Sequence, residues 1–147
     1  MTHFSFDLHG HQGAELLTGG ERIGTKGSYL TPTVFANISD DMTVFKEEVF
    51  GPVMTINRFK STDSLPDLLT RVNDSPYGLA AGVFTSDLQK GNAMVKGMRA
   101  GMVFWNCYHV VDIAAPFGGM KESGLGREGG EWGLAPYLET KMVAHPA

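Results

Sequence analysis

Apolar positions along this chain change their spacing several times, and each change predicts an element. In "PVMTINRF" (52–59), Val53, Thr55 and Asn57 alternate with Met54, Ile56 and Arg58, the period of two expected of a strand. "STDSLPDLLTRVNDS" (61–75) spaces Leu65, Leu68, Leu69 and Val72 at i, i+3, i+4 and i+7. That spacing predicts a helix, opened by capping residues and acids, with Pro66 tolerable in its first turn. "AAGVFT" (80–85) is a short apolar run suited to a buried strand. "SDLQKGNAMVKGMRAG" (86–101) carries Leu88, Met94, Val95 and Met98 and predicts a second helix, capped by Ser86. Gly91 and Gly97 each weaken that helix by roughly 1 kcal/mol relative to alanine, so packing must hold it. "MVFWN" (102–106) predicts a further strand.

The flanks are less regular. "AELLT" (14–18) and "TPTVFANI" (31–38) read as short extended segments, the second because Pro32 drives its predecessor out of the helical region. Residues 107–126 read as a long Gly-rich loop, 127–138 as a helix weakened by three glycines and a proline, and 139–145 as a terminal strand. Residues 1–12 show no period and read as a poorly ordered terminus. His9 and His11 could share one strand face and hold a metal, but no third ligand accompanies them.

Strand and helix alternate through the middle of the chain. That order predicts an α/β fold: a partial parallel sheet with flanking helices, followed by the terminal strand. Ligands of such sheets bind outside the carboxyl ends of the strands, which directs attention to the loops after 80–85 and 102–106.

Composition narrows the choice of partner. The chain has 147 residues, 42% hydrophobic and 19% charged, with a formal charge of -4. These values suit one globular core and give no electrostatic reason to expect nucleic acid or an anionic membrane. No apolar run approaches the ~20 residues of a membrane span. "MTHFSFDLHGHQ" lacks the basic start and apolar run of a signal peptide. Cys107, the one cysteine, excludes an internal disulfide and fits a reducing compartment, so the expected location is cytoplasmic.

"SGLGREGGE" (123–131) sets Gly124, Gly126 and Gly129 in the G-x-G-x-x-G spacing of a dinucleotide-binding turn. No strand precedes it, and residues 131–147 leave no room for the second strand and ribose-binding acid that the motif requires. The glycines then need another reason: close backbone approach to a ligand or to another part of the chain. In "KEEVFGPV" (46–53), Glu47 and Glu48 are adjacent and point to opposite sides of an extended segment, so they form no carboxylate dyad. Glu48 and Phe50 share a side, a carboxylate and a ring that would suit a ribose and its base; a charged turn before a strand is the plainer alternative. Cys107 could be a nucleophile or inert packing. His109 could be a general base oriented by Asp112, or a solvated loop residue. Lys121 could be an exposed charge, or could offer its backbone carbonyl to an ion.

Taken in order, "TPTVF", "KEEVFGPVM", "YGLAAGVFT", "MVFWNCY", "APFGGMKESGLGRE" and "YLETK" resemble the C-terminal part of the NAD(P)-dependent aldehyde dehydrogenases, from about Gly13 to Val143. The aliphatic and betaine-aldehyde branches resemble the chain equally. The resemblance implies residues 1–12 outside the family pattern, 13–138 as the C-terminal part of a catalytic domain, and 139–147 as an oligomerisation strand and tail. It implies a small-molecule aldehyde as substrate, NAD or NADP as cofactor, and a homo-oligomer or a full-length subunit as partner through the terminal strand. By the same resemblance, Glu48 holds the nicotinamide ribose and Phe50 packs by the nicotinamide. Phe117, with Asn106, His109 and Val111 of the preceding loop, walls the aldehyde tunnel. Lys121 and Gly124 offer backbone positions to a monovalent cation such as K+. Cys107 matches a second, non-nucleophilic cysteine. The nucleophilic cysteine, the general-base glutamate and the dinucleotide-binding domain of the family have no counterpart in these residues, which implies a truncated form, inactive alone.

Overall fold

The computed structural model describes residues 13–60 and 63–146. The expectations for residues 1–12, His9 and His11 among them, and for the first two residues of the 61–75 helix lie outside the described residues. The chain divides into two compact units, Met1–Ser61 and Thr62–Ala147.

In the first unit, β1 (Glu15–Thr18), β2 (Thr33–Ala36) and β3 (Val53–Ile56) form one sheet with β2 in the middle. β1 runs antiparallel to β2, and β3 runs parallel to it in the register Thr33↔Val53 to Ala36↔Ile56. Period-two side-chain alternation buries Thr33 and Phe35 on one face of β2. Phe35 is 3% exposed and joins Ile38, Met42 and Val44 in the core, with Val49 and Val53 packed against it. Each such buried side chain contributes roughly 1.5–3 kcal/mol relative to exposure. The buried Thr33 hydroxyl donates to the Thr31 carbonyl (2.9 Å) and accepts from the Gly20 N–H (2.8 Å), so its polar atom costs little. A single helical turn, α1 (Thr43–Lys46), delivers Val44 to this core; four residues are too few to show a period in sequence.

In the second unit, α2 (Leu65–Asn73) starts at Ser64, whose hydroxyl accepts from the Asp67 N–H at 3.3 Å. β4 (Ala80–Val83) leads through α3 (Leu88–Gly97) to β5 (Met102–Trp105), parallel to β4 in the register Ala80↔Met102 to Val83↔Trp105. α3 is capped by Asp87, not Ser86: the Asp87 carboxylate accepts from Gln89 N–H (2.9 Å) and Lys90 N–H (3.0 Å). The two helix glycines explain how α3 holds. A Cβ on Gly91 would lie 2.3 Å from the Trp105 indole, and one on Gly97 would lie 2.4 Å from Leu69. The glycines give up intrinsic helicity so that α3 can meet β5 on one side and α2 on another.

Three expectations change. The strands 52–59, 80–85 and 102–106 do not share one sheet: β3 pairs with β2, and β4 with β5. Periodicity locates a strand but not its neighbour, which long-range pairing decides. The 127–138 segment is a 3₁₀ turn over Glu131–Tyr137, because glycines and Pro136 disfavour a regular α-helix. Residues 139–146 form no strand within this chain; they are exposed, and an extended segment becomes a strand only when another pairs with it. Among the described residues, no helix is long and apolar enough to cross a membrane.

Candidate functional site

The parallel pair β4–β5 ends together at Val83 and Trp105, and the chain leaves that edge through Asn106. Asn106 adopts a left-handed backbone (φ 51°), which asparagine tolerates better than most residues. Its amide pairs with Thr85 in both directions: Oδ1 accepts from the Thr85 N–H at 2.8 Å, and Nδ2 donates to the Thr85 carbonyl at 2.9 Å. This pair ties the chain just after β5 to the chain just after β4.

That loop returns along β5. Asp112 turns it: the Ala115 N–H donates to the Asp112 carbonyl at 3.0 Å and the Ala114 N–H to Asp112 Oδ1 at 2.8 Å. Phe117 then exchanges two 2.7 Å backbone hydrogen bonds with Glu128. A cavity of about 350 Å³ lies between β5 and the returning loop, with Phe104, Cys107, Val110, Val111 and Phe117 among its lining residues. It is mostly apolar and runs along β5 from Gly101 and Met102 at the strand's amino end to Phe104, so it is not confined to the carboxyl end where ligands of parallel sheets were expected.

The candidate residues divide in this setting. Val111 and Phe117 line the cavity. Asn106 does not; its side chain is committed to Thr85. His109 is exposed, its ring 6.0 Å from that of Tyr108, and no hydrogen bond joins it to Asp112 among the described residues. The two side chains therefore form no His–Asp pair in this structure. Cys107 is half-buried in the cavity wall.

Glu48 and Phe50 belong to the first unit. Val49 packs against the core, while Glu47, Glu48 and Phe50 are all exposed, Phe50 at 95%.

The Gly-rich segment folds on its own chain. A Cβ on Gly129, whose φ is 75°, would lie 2.5 Å from the Ala115 carbonyl oxygen, so this glycine of the G-x-G-x-x-G pattern serves close backbone approach. Arg127, which sequence reasoning passed over, donates to the carbonyls of Gly119 and Gly126, both at 2.7 Å. Lys121 is half-buried, and its ammonium donates to the carbonyls of Asn73 and Ser75, each at 2.8 Å. It is not an exposed charge. Gly124 follows at the end of the 3₁₀ turn Lys121–Ser123. Asn73, also missed, uses its side chain on the Gly97 carbonyl and the Arg99 N–H, both at 2.8 Å. The available signal was an asparagine at the end of a predicted helix, a position that favours side-chain-to-backbone bonds.

A model of the aldehyde dehydrogenase family matches residues 6–143, which takes in part of the segment before Gly13. A protein named benzaldehyde dehydrogenase, mitochondrial, from Antirrhinum majus is 53% identical over 131 residues, covering 89% of this chain and 24% of that protein. Aldehyde dehydrogenase, cytosolic 1, from Mus musculus is 53% identical over 133 residues, covering 90% and 26%. Among solved structures, the NAD+ complex of aldehyde dehydrogenase from Bacillus cereus matches with a TM-score of 0.82 at 44% identity, covering 91% of this chain and 27% of that one. The chain thus spans about a quarter of the length of the relatives it matches.

Proposed function

Because the chain belongs to the aldehyde dehydrogenase family, we propose that it supplies one wall of an aldehyde site and the contacts to a nicotinamide ribose in an enzyme that oxidises an aldehyde to a carboxylate with NAD or NADP. The cavity that brings Val111 and Phe117 together along β5 carries this reading. Its apolar lining would hold the substrate's hydrocarbon part. Glu48 and Phe50 suit the cofactor, since an exposed carboxylate can accept from ribose hydroxyls and an exposed ring can cover a nicotinamide face. Bound there, the nicotinamide would supply the acceptor for hydride.

Asn106 acts one step back from the substrate by tying the start of the cavity loop to the chain just after β4. The backbone at Lys121 and Gly124 takes a monovalent cation such as K+ in this reading. Cys107 lies in the cavity wall as a packing thiol, so the 147 residues alone sustain no aldehyde oxidation. A cytoplasmic location is part of the same proposal. The test of the cofactor contact is saturation-transfer NMR with nicotinamide mononucleotide. Transfer to the nicotinamide ring protons is expected from this chain and should drop in Phe50→Ala; equal transfer in both would count against the assignment.

A second reading is favoured by Leu138, Met142 and Val143, which are 69%, 83% and 80% exposed in a segment without a strand partner. In that reading residues 139–144 add as a strand to another copy or to a full-length subunit, and the chain works as an assembly element.

A further inference from the structure

The cavity beside β5 is uneven in charge. Eleven residues line it; one of them, Asp112, carries a carboxylate, and none is lysine, arginine or histidine. Asp112 is held in place, because its Oδ1 accepts from the Ala114 N–H at 2.8 Å. Its other oxygen has no protein donor among the described residues. Around it stand Met102, Phe104, Val110, Val111, Pro116 and Phe117, which offer hydrocarbon and aromatic surface.

We infer that this cavity takes uncharged, apolar aldehydes and rejects aldehydes that carry a carboxylate at their far end, with Asp112 as the specificity-determining residue. The inference rests on the aldehyde reading of the cavity given above. An anionic tail would need a cation or several donors to replace its water, and the side chains that this chain lends to the lining provide neither. It would also meet a fixed like charge. Asp112 is exposed, and at contact distance in water that repulsion is worth about five-fold in affinity. A neutral chain of the same length meets neither penalty, and its burial is favourable.

The test compares hexanal with its terminal-carboxylate analogue, adipic semialdehyde, on the purified 147-residue chain at neutral pH. Binding is read from NMR shifts of the Val110 and Val111 methyl groups and the Phe117 ring. Hexanal should move these signals, and adipic semialdehyde should bind about five-fold more weakly. Asp112→Asn retains an oxygen for the Ala114 N–H and should narrow the gap. Asp112→Ser, which also keeps an acceptor, is the second variant should the first disturb the turn, and added salt should narrow the gap in the unmodified chain. Equal binding of both aldehydes would overturn the selectivity while leaving the aldehyde cavity standing. A full gap in both variants would remove Asp112 from the role. Silence of Val110, Val111 and Phe117 toward either aldehyde would overturn the aldehyde reading itself, and the selectivity with it.

Discussion

Lys121 and Asn73 are 48 positions apart in sequence, and the lysine ammonium donates to the Asn73 carbonyl at 2.8 Å. The bond places a cation at the carboxyl end of α2, where the helix dipole favours it. Asn73 meanwhile bonds Gly97 and Arg99 at the end of α3. One residue thus joins two helix ends to the Gly-rich segment.

Removing that cation should be costly. Lys121→Met keeps the chain length but leaves the Asn73 and Ser75 carbonyls without their half-buried donor. We expect a loss of about 1–3 kcal/mol, and a thermal midpoint lower by roughly 2–4 °C for each kcal/mol. Thermal unfolding followed by circular dichroism measures it; an unchanged midpoint would mean that the ammonium only rests on these carbonyls.

Gly91→Ala sets two effects against each other. Alanine gains roughly 1 kcal/mol of helix propensity. Its Cβ would sit 2.3 Å from the Trp105 indole, and overpacking of that kind costs about 1–3 kcal/mol or more. The clash should win, giving net destabilisation in chemical denaturation, whereas Asn92→Ala on the exposed face of α3 should be near neutral or stabilising.

Asn106→Ala removes both bonds to Thr85 and puts a Cβ residue with little tolerance for left-handed backbone at φ 51°. A loss of roughly 2 kcal/mol is expected, together with faster amide exchange at Thr85. Asn106→Gly, which suits the backbone but lacks the amide, should lose the Thr85 protection as well; retained protection in both variants would contradict the clamp.

Asp41 titrates below its ordinary value of 3.8, chiefly because the Ser39 hydroxyl donates to its carboxylate and secondly because its own backbone N–H does, with Lys46 adding attraction. A depressed folded-state value means that its stabilising effect is present above the ordinary carboxylate range and is lost as pH falls through the folded value. Ser39→Ala should therefore raise the Asp41 titration toward 3.8 in carboxyl-detected NMR, and an unmoved curve would remove Ser39 as the main cause.

Leu138, Met142 and Val143 are exposed; in an added strand Leu138 and Met142 would share one face and Val143 the other, and packing either face on a partner would bury apolar surface. Replacing all three with serine should weaken self-association at least about ten-fold in sedimentation velocity. Unchanged association would move the assembly surface elsewhere.

Much of this architecture is local and could be read from sequence. Ser64 before a helical period and the apolar runs at β4 and β5 are signals carried by a few neighbouring residues. Sheet membership was not legible, because β3 chooses β2 over β4 through pairing across distant sequence. The cap of α3 fell to Asp87, one residue past the expected Ser86, since both side chains can cap and only backbone geometry decides. In the candidate site, Val111 and Phe117 meet in one cavity. Asn106 shows the limit of such reading: a residue expected in a tunnel wall spends its amide on Thr85, a partner 21 positions earlier. Lys121 and Arg127 work through backbone carbonyls, which sequence does not advertise.

In the proposed function these residues shape an aldehyde site without supplying its reactive thiol. The direct measurement is reduction of NAD or NADP by the purified 147-residue chain with a panel of apolar aldehydes, before and after alkylation of Cys107. We predict no aldehyde-dependent reduction in either state. A steady rate that disappears on alkylation would make Cys107 the nucleophile and contradict the claim.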